Sequence, residues 1–223
     1  MMVNLFSIFD PSTKFLLTAN WLSITIYFFL LPVQLWMIPS RPKQILSLML
    51  SYLFKEFSPL VKKAPYILLS SLSVFLFIMI NNLMGLMPYV FTASSHLTFT
   101  LALALSLWLG TFIYTWVNNT NNSLIHLIPQ GTPTVLMPFM VLIESVSSLI
   151  RPGTLAVRLA ANMIAGHLLI VLLSSAFLFS PITALPLLYL SQFLLSLLEI
   201  AVAFIQAYVF SILITLYAAE SMS

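Results

Sequence analysis

The sequence predicts an all-α integral membrane protein, and three observations carry the prediction. Hydrophobic residues make up 61% of the chain and charged residues only 6%, against about 25% charged in an average soluble domain. Mean hydropathy is +1.09, so too few polar groups are available to build a water-soluble surface. The apolar residues also fall into runs long enough to cross the ~30 Å hydrocarbon core, which takes about 20 helical residues. The chain of 223 residues has room for roughly five or six such segments and is expected to form one membrane domain, 1–223. The expected architecture is an N-terminal transmembrane helix, an interfacial amphipathic helix, two shorter membrane helices and a long, steeply tilted helical hairpin.

The first apolar run, 15–38, is long enough to span. It carries Trp21 and Trp36 near its two ends, where aromatic belts sit. Pro39-Ser40-Arg41-Pro42 breaks it. Over 43–62 the pattern changes. Ser47, Ser51, Lys55, Ser58 and Lys62 form a polar stripe at three- and four-residue steps, with Ile45, Leu48, Met49, Leu53 and Phe57 away from it. That pattern predicts a helix lying in the interface. Arg41, Lys43, Lys55, Lys62 and Lys63 collect here, so by the positive-inside rule this loop faces the cytoplasm or matrix, with the N-terminus on the other side.

Two further spans, near 66–87 and 96–117, make a hairpin over 66–117. The amides, Gly and Pro of "NNLMGLMPY" suit a turn at the far interface. The polar loop 118–133 returns the chain to the basic side, and His96 and His126 read as ordinary interfacial residues. The tract from about 134 to 179 is interrupted only at Pro152-Gly153 and would be roughly 69 Å long as one helix; that from about 184 to 219 would reach roughly 54 Å. Each either splits into shorter spans or lies tilted. The scarcity of charged or turn-rich loops favours a hairpin over 134–219, kinked near Pro152.

Four charged residues fall inside these tracts: Glu144, Arg151, Arg158 and Glu199. They sum to zero, as expected of groups that face one another or a wet cavity rather than lipid. Glu144, Arg151 and Arg158 are spaced by sevens, as are Gln192, Glu199 and Gln206, so each helix carries a polar stripe. Asn162, four residues on, stays near the face of Arg158. His167 falls about 180° round the helix from it. A buried imidazole and a buried carboxyl are candidates for a proton relay. The small residues Ala160, Ala161, Ala165 and Gly166 would admit a neighbouring helix. Each feature also has a structural alternative. On that alternative Arg158 pairs with Glu199 or Glu144, His167 bridges helices, the glutamines join them, and Arg151 braces the proline.

Several function classes are excluded. The chain has no cysteine and only five glycines, which removes thiol catalysis, iron–sulfur clusters and a glycine-rich phosphate loop. No catalytic triad or metal-ligand cluster is spaced for use, so neither cofactor nor metal is expected. The net charge of +3 is too small and dispersed for nucleic-acid binding. The opening "MMVNLFSIFDPSTKF" lacks a basic n-region and cleavage site, so no cleavable leader is expected. The sequons at Asn118 and Asn121 matter only in a secretory lumen.

The residues that remain resemble one family. "IRPGTLAVRLAANMIAGHLL" (150–169) and "LLEIAVAFIQAYVFSILITLY" (197–217) are similar to the signature of subunit a of F-type ATP synthases. "PQGTP", "LMPFMVLIES", "NNLMGLMPY" and "NLFSIFDPS" are similar to its mitochondrially encoded members. The resemblance covers essentially the whole chain, and its R-L-x-x-N-M-x-A-G-H run is specific.

It implies a proton-channel stator subunit of the Fo membrane sector, itself without covalent chemistry, beside a rotating ring of subunit c. Other partners it implies are peripheral-stalk and other stator subunits and the lipid bilayer, with protons the only small substrate. By motif position, Arg158 would face the ring carboxylates and Gln206 would neighbour it across the hairpin. His167 and Glu199 would line a half-channel from the intermembrane space, Glu144 the matrix half-channel, and Asn162 the ring-facing surface. In bacterial relatives the acid and histidine exchange places; the order here is the mitochondrial one. The resemblance places the chain in the mitochondrial inner membrane, N-terminus toward the intermembrane space and C-terminus toward the matrix. Two other classes are weighed against it. A proton-coupled secondary transporter would show paired broken segments in two repeats, which are missing. A purely structural subunit would leave the His167, Glu199 and Glu144 sets unexplained.

Overall fold

The computed structural model describes residues 5–12, 18–32, 37–61, 65–118, 120, 124–125, 127–128, 133, 136–177 and 179–222. Among these every regular element is helical. A 3₁₀ segment, Ala19–Thr25, runs into α1, Ile26–Leu30; then follow α2, Arg41–Phe57, α3, Pro65–Gly85, α4, Leu97–Asn118, α5, Met137–Ala176, and α6, Leu185–Met222. Four of these helices are long and apolar enough to cross a membrane. Within the first apolar run the helical stretch is shorter than 15–38. Ala19–Leu30 reaches only about 20 Å, and Leu31 is extended. Trp36, Lys62, Lys63, Asn121 and His126 lie outside the described residues.

α2 is helical because nothing in Arg41–Phe57 opposes it: Pro42 sits in the first turn, where its missing N–H costs nothing. Its apolar residues divide between two faces. Leu53 and Phe57 are buried, with Leu46, Met49 and Leu50 packed against the core, whereas Ile45 and Leu48 are exposed. The expectation that Ile45 and Leu48 would share a face with Leu53 and Phe57 is therefore corrected. At 100° per residue Leu46, Leu50, Leu53 and Phe57 form the tighter stripe. Ser47 and Ser51 return their hydroxyls to the carbonyls of Gln44 and Leu48. The Tyr208 hydroxyl donates to Glu56 Oε2 at 3.2 Å and joins α2 to α6.

α5 has 40 residues and α6 has 38, about 60 and 57 Å at 1.5 Å per residue. Both run unbroken, α5 continuing past the buried Pro152. This removes the alternative of several shorter upright spans. A helix twice as long as the ~30 Å hydrocarbon core fits inside it only at a steep incline.

α3 packs chiefly on α6, and α4 on α5. The α3–α6 approach is close because α6 offers small side chains along one line: Ala203, Ala207, Ser211, Thr215 and Ala218 are all fully buried. In lipid, where apolar burial drives little, such close packing is what holds helices together. Ile67, Phe75, Ile78 and Met79 of α3 belong to the same core cluster as Ala207 and Ala218. The Ala160–Gly166 cluster does not form one surface. Ala160 faces inward, while Ala161 and Ala165 are exposed on the side of Arg158.

Candidate functional site

Polar side chains inside the helices sort into two groups. The hydroxyls satisfy themselves: Ser71 donates to the Leu68 carbonyl, Thr115 to Phe112, Ser211 to Tyr208 and Thr215 to Ile212. This back-bonding lets Ser and Thr sit in an apolar helix without a partner elsewhere. A carboxylate cannot donate to a carbonyl, and an imidazole ring cannot fold back as a short hydroxyl does. These groups are where unmet hydrogen bonding collects. Glu199 is 7% exposed with both carboxyl oxygens unpartnered, and His167 Nε2 is likewise buried and unpartnered. Burying polar atoms this way costs free energy, so their retention points to a use.

The two residues share one cavity of about 270 Å³ between α5 and α6, lined also by Asn162, Met163, Gly166 and Gln206. The cavity mixes an apolar wall with four convergent polar side chains, the usual make-up of a binding site. Gly166 makes the arrangement possible. A Cβ there would stand 2.9 Å from Glu199 Oε1 and 3.0 Å from its Cδ, so the carboxylate lies directly on the α5 backbone. The His167 ring packs edge-to-face with Phe9, centroids 6.4 Å apart, from the N-terminal 3₁₀ segment Leu5–Phe9. Of the residues singled out in sequence, then, Asn162, His167, Glu199 and Gln206 come together.

Arg158 does not line this cavity. It lies one turn before Asn162 and is exposed, on a face that also shows Ala161, Ala165, Leu169 and Leu172. Neither ion pair envisaged for it forms. Glu199 is buried under Gly166, and Glu144 binds Arg151 instead, Nη2 to Oε1 at 3.4 Å. Among the described residues no hydrogen bond or ion pair to Arg158 is found. Its guanidinium, which stays charged at any physiological pH, is thus presented outward from an apolar helix. Glu144 is half-exposed, about 21 Å from Arg158 along α5, and His167 lies about 13 Å the other way.

The structure adds residues that sequence reasoning passed over. Asn82, expected in a turn at the membrane surface, is fully buried in α3 with both amide atoms unpartnered. Ser94 Oγ and His96 Nε2 are buried and unpartnered in the segment that follows. His96 is not an open interfacial side chain; it packs in a cluster of three rings with Trp21 and Phe91, centroids 5.2 and 5.1 Å away and 5.6 Å from each other. An amide pair in an apolar run was the available signal for Asn82; the ring cluster around His96 had none. Among the described residues no group of His, Asp and Glu is placed to hold a metal.

Comparison with known proteins adds a family. The profile of the family described as ATP synthase A chain matches residues 14–219. The chain is 53% identical over 227 residues to ATP synthase subunit a of Anopheles gambiae, covering 99% of each. Against proteins of that name it is 50% identical over 223 residues in Locusta migratoria and 49% over 225 in Drosophila melanogaster, again covering 99% of each.

Proposed function

Because the chain belongs to the ATP synthase A chain family, and so to the multi-pass, proton-translocating membrane sector of that enzyme, we propose that it passes protons through two offset half-channels that meet at Arg158. Its partner is the ring of subunit c, whose carboxylates travel along the exposed face of α5. Peripheral-stalk and other stator subunits hold it still. It sits in the mitochondrial inner membrane, with the basic segment around α2 in the matrix, the N-terminus toward the intermembrane space and the C-terminus toward the matrix.

The observation that carries this reading is the outward guanidinium of Arg158 on an apolar helix. A cation there is costly in lipid, and Ala161 and Ala165 beside it leave room for another helix to approach closely. A carboxylate arriving from a second chain offsets that cost. Next to a fixed cation the arriving acid releases its proton; once past it, the acid must take up another before it re-enters lipid. The same charge repels protons and prevents a direct leak between the two sides.

His167 and Glu199 sit toward the end of the hairpin assigned to the intermembrane space and pass protons inward to the ring. Asn162 and Gln206, on the same cavity, connect that pair to the Arg158 face. Glu144 lies near the matrix end of α5, where protons leave. Glu144 and His167 are about 35 Å apart along the helix, and at the incline that fits α5 into the ~30 Å hydrocarbon core they still differ by about 17 Å in depth, which suits two half-channels opening on opposite faces. Each proton crossing 100 mV releases ~2.3 kcal/mol, available to turn the ring.

The test is Arg158→Ala in the assembled synthase, reconstituted in vesicles. Proton-driven ATP synthesis is expected to be lost, with assembly intact and passive proton leak raised. Near-normal coupled synthesis would make Arg158 a structural cation and end this reading.

A further inference from the structure

Arg151 and Arg158 occupy the same position in successive heptads of α5, yet the fold treats them differently. Arg158 is presented outward. Arg151 is 30% exposed and engaged on two sides: its Nη2 donates to Glu144 Oε1 at 3.4 Å, and its Cζ stands 4.9 Å from the centre of the Tyr217 ring on α6. A guanidinium can do both at once, because its flat face stacks on an aromatic ring while its edge serves a carboxylate.

The place where this happens is the weakest point of α5. Pro152 is the next residue, and having no N–H it leaves the Ser148 carbonyl without its helical donor. The two turns that carry Glu144 lie just upstream, tied to the rest of the helix by one backbone bond fewer. Arg151 reaches back over those turns to Glu144, while its other face rests on α6. Tyr217 is itself well anchored, since Ile214, Thr215 and Ala218 around it are buried. The Glu144 end of α5 is thereby referred to the packed α3–α6 interface rather than to its own interrupted backbone.

We infer that Arg151 and Tyr217 are positioning residues that fix the carboxylate of Glu144 across Pro152, so that the group passing protons to the matrix is held in one place. The inference rests on the matrix-side role given to Glu144 above. It separates the two arginines: one faces a partner chain, and the other sets the geometry of an acid in its own.

The test is a double-mutant cycle on proton-driven ATP synthesis by the assembled complex in vesicles. Tyr217→Leu removes the ring and is expected to slow synthesis about three- to tenfold, the range of one cation–π contact. Tyr217→Phe keeps the ring face and is expected to stay within about twofold of the unsubstituted rate. In a Glu144→Gln background, Tyr217→Leu is expected to add no further loss, because the group it positions is gone. Where Glu144→Gln leaves too little rate to read, Glu144→Asp replaces it, the shorter side chain withdrawing the carboxylate from Arg151. Where Tyr217→Leu does not assemble, Arg151→Gln enters the same cycle with the same expected non-additivity. Losses that multiply in the double variant, or Phe and Leu variants that are equally impaired or equally unimpaired, overturn the inference and leave the role of Glu144 standing. A normal rate for Glu144→Gln overturns both, and the outcome for Arg158→Ala is independent of either.

Discussion

Gly166→Ala changes one hydrogen for a methyl group and tests whether the seat of Glu199 matters. The new Cβ would lie 2.9 Å from Oε1, 3.0 Å from Cδ and 3.3 Å from Cγ of Glu199, where ordinary contact begins at 3.4 Å. The carboxylate must therefore retreat by about 0.5 Å at its nearest atom. The clash is with the mobile end of a side chain, not with backbone, so the helices stay packed and assembly survives. Only the acid moves. A misplacement of 1 Å costs up to about a hundredfold in reactions that depend on geometry, so half that displacement is expected to slow proton-driven synthesis about tenfold. The assay is ATP synthesis in vesicles under an imposed proton gradient, with the quantity of assembled complex measured alongside. Glu199→Asp, one methylene shorter, makes room for the methyl and is expected to recover part of the rate when combined with Gly166→Ala. Gly110→Ala is the control, since its Cβ meets nothing within 4 Å. A Gly166→Ala complex that assembles and synthesises ATP within about twofold of the unsubstituted rate would refute the reasoning that the seat of Glu199 limits proton passage.

Two further outcomes follow from packing. Ala207 is fully buried in the small-residue stripe of α6, and Ala207→Leu overfills it at a cost of about 1–3 kcal/mol; less assembled complex on a native gel is the expected result, and unchanged assembly would show that the α3–α6 contact is loose. Tyr208→Phe deletes the hydroxyl that reaches Glu56 and is expected to lower the stability of the detergent-solubilised protein by about 1 kcal/mol, seen in its thermal midpoint, with activity intact below it; no shift would mean that the link between α2 and α6 carries no stability.

The parts of the fold legible in sequence are those that depend on one helix at a time. Hydropathy alone gives the long helices around 66–87, 96–117 and the two final tracts, because in lipid a helix must satisfy its own backbone. Periodicity gives α2 as amphipathic, since Ser47, Ser51 and Lys55 recur on one side. What periodicity does not give is which apolar residues of α2 meet the core. Ile45 and Leu48 are as apolar as Leu46 and Leu50, and only the position of α3 and α6 separates them. The same limit applies to the small residues. Ala160, Ala161, Ala165 and Gly166 are neighbours in sequence, yet they divide between the packed and open sides of α5, whereas the stripe from Ala203 to Ala218 that closes the α3–α6 interface is spread over four turns.

The candidate site shows the same division. The spacing of Glu199 and Gln206 by seven places that pair near one face of α6, whereas on α5 the cavity takes Asn162 and His167 and leaves out Arg158, a division that the fourfold spacing of Arg158 and Asn162 does not give. The reason Glu199 fits is invisible without the partner helix, because it is the missing side chain of Gly166. The two arginines make the stronger case. Their sevenfold spacing argues for equal environments, and an ion-pair count over Glu144, Arg151, Arg158 and Glu199 allows either arginine to take either acid. Geometry breaks the tie. Arg151 takes Glu144 because the two lie two turns apart on one face and Tyr217 closes the other side of the guanidinium. Glu199, buried against Gly166, is left to the cavity it shares with His167. Among the described residues, the charge of Arg158 is then left without a balancing acid. A permanent cation on an apolar helix is tolerable only if the balancing charge is supplied from outside, so the distribution of ion pairs within one subunit itself calls for a second, acidic one.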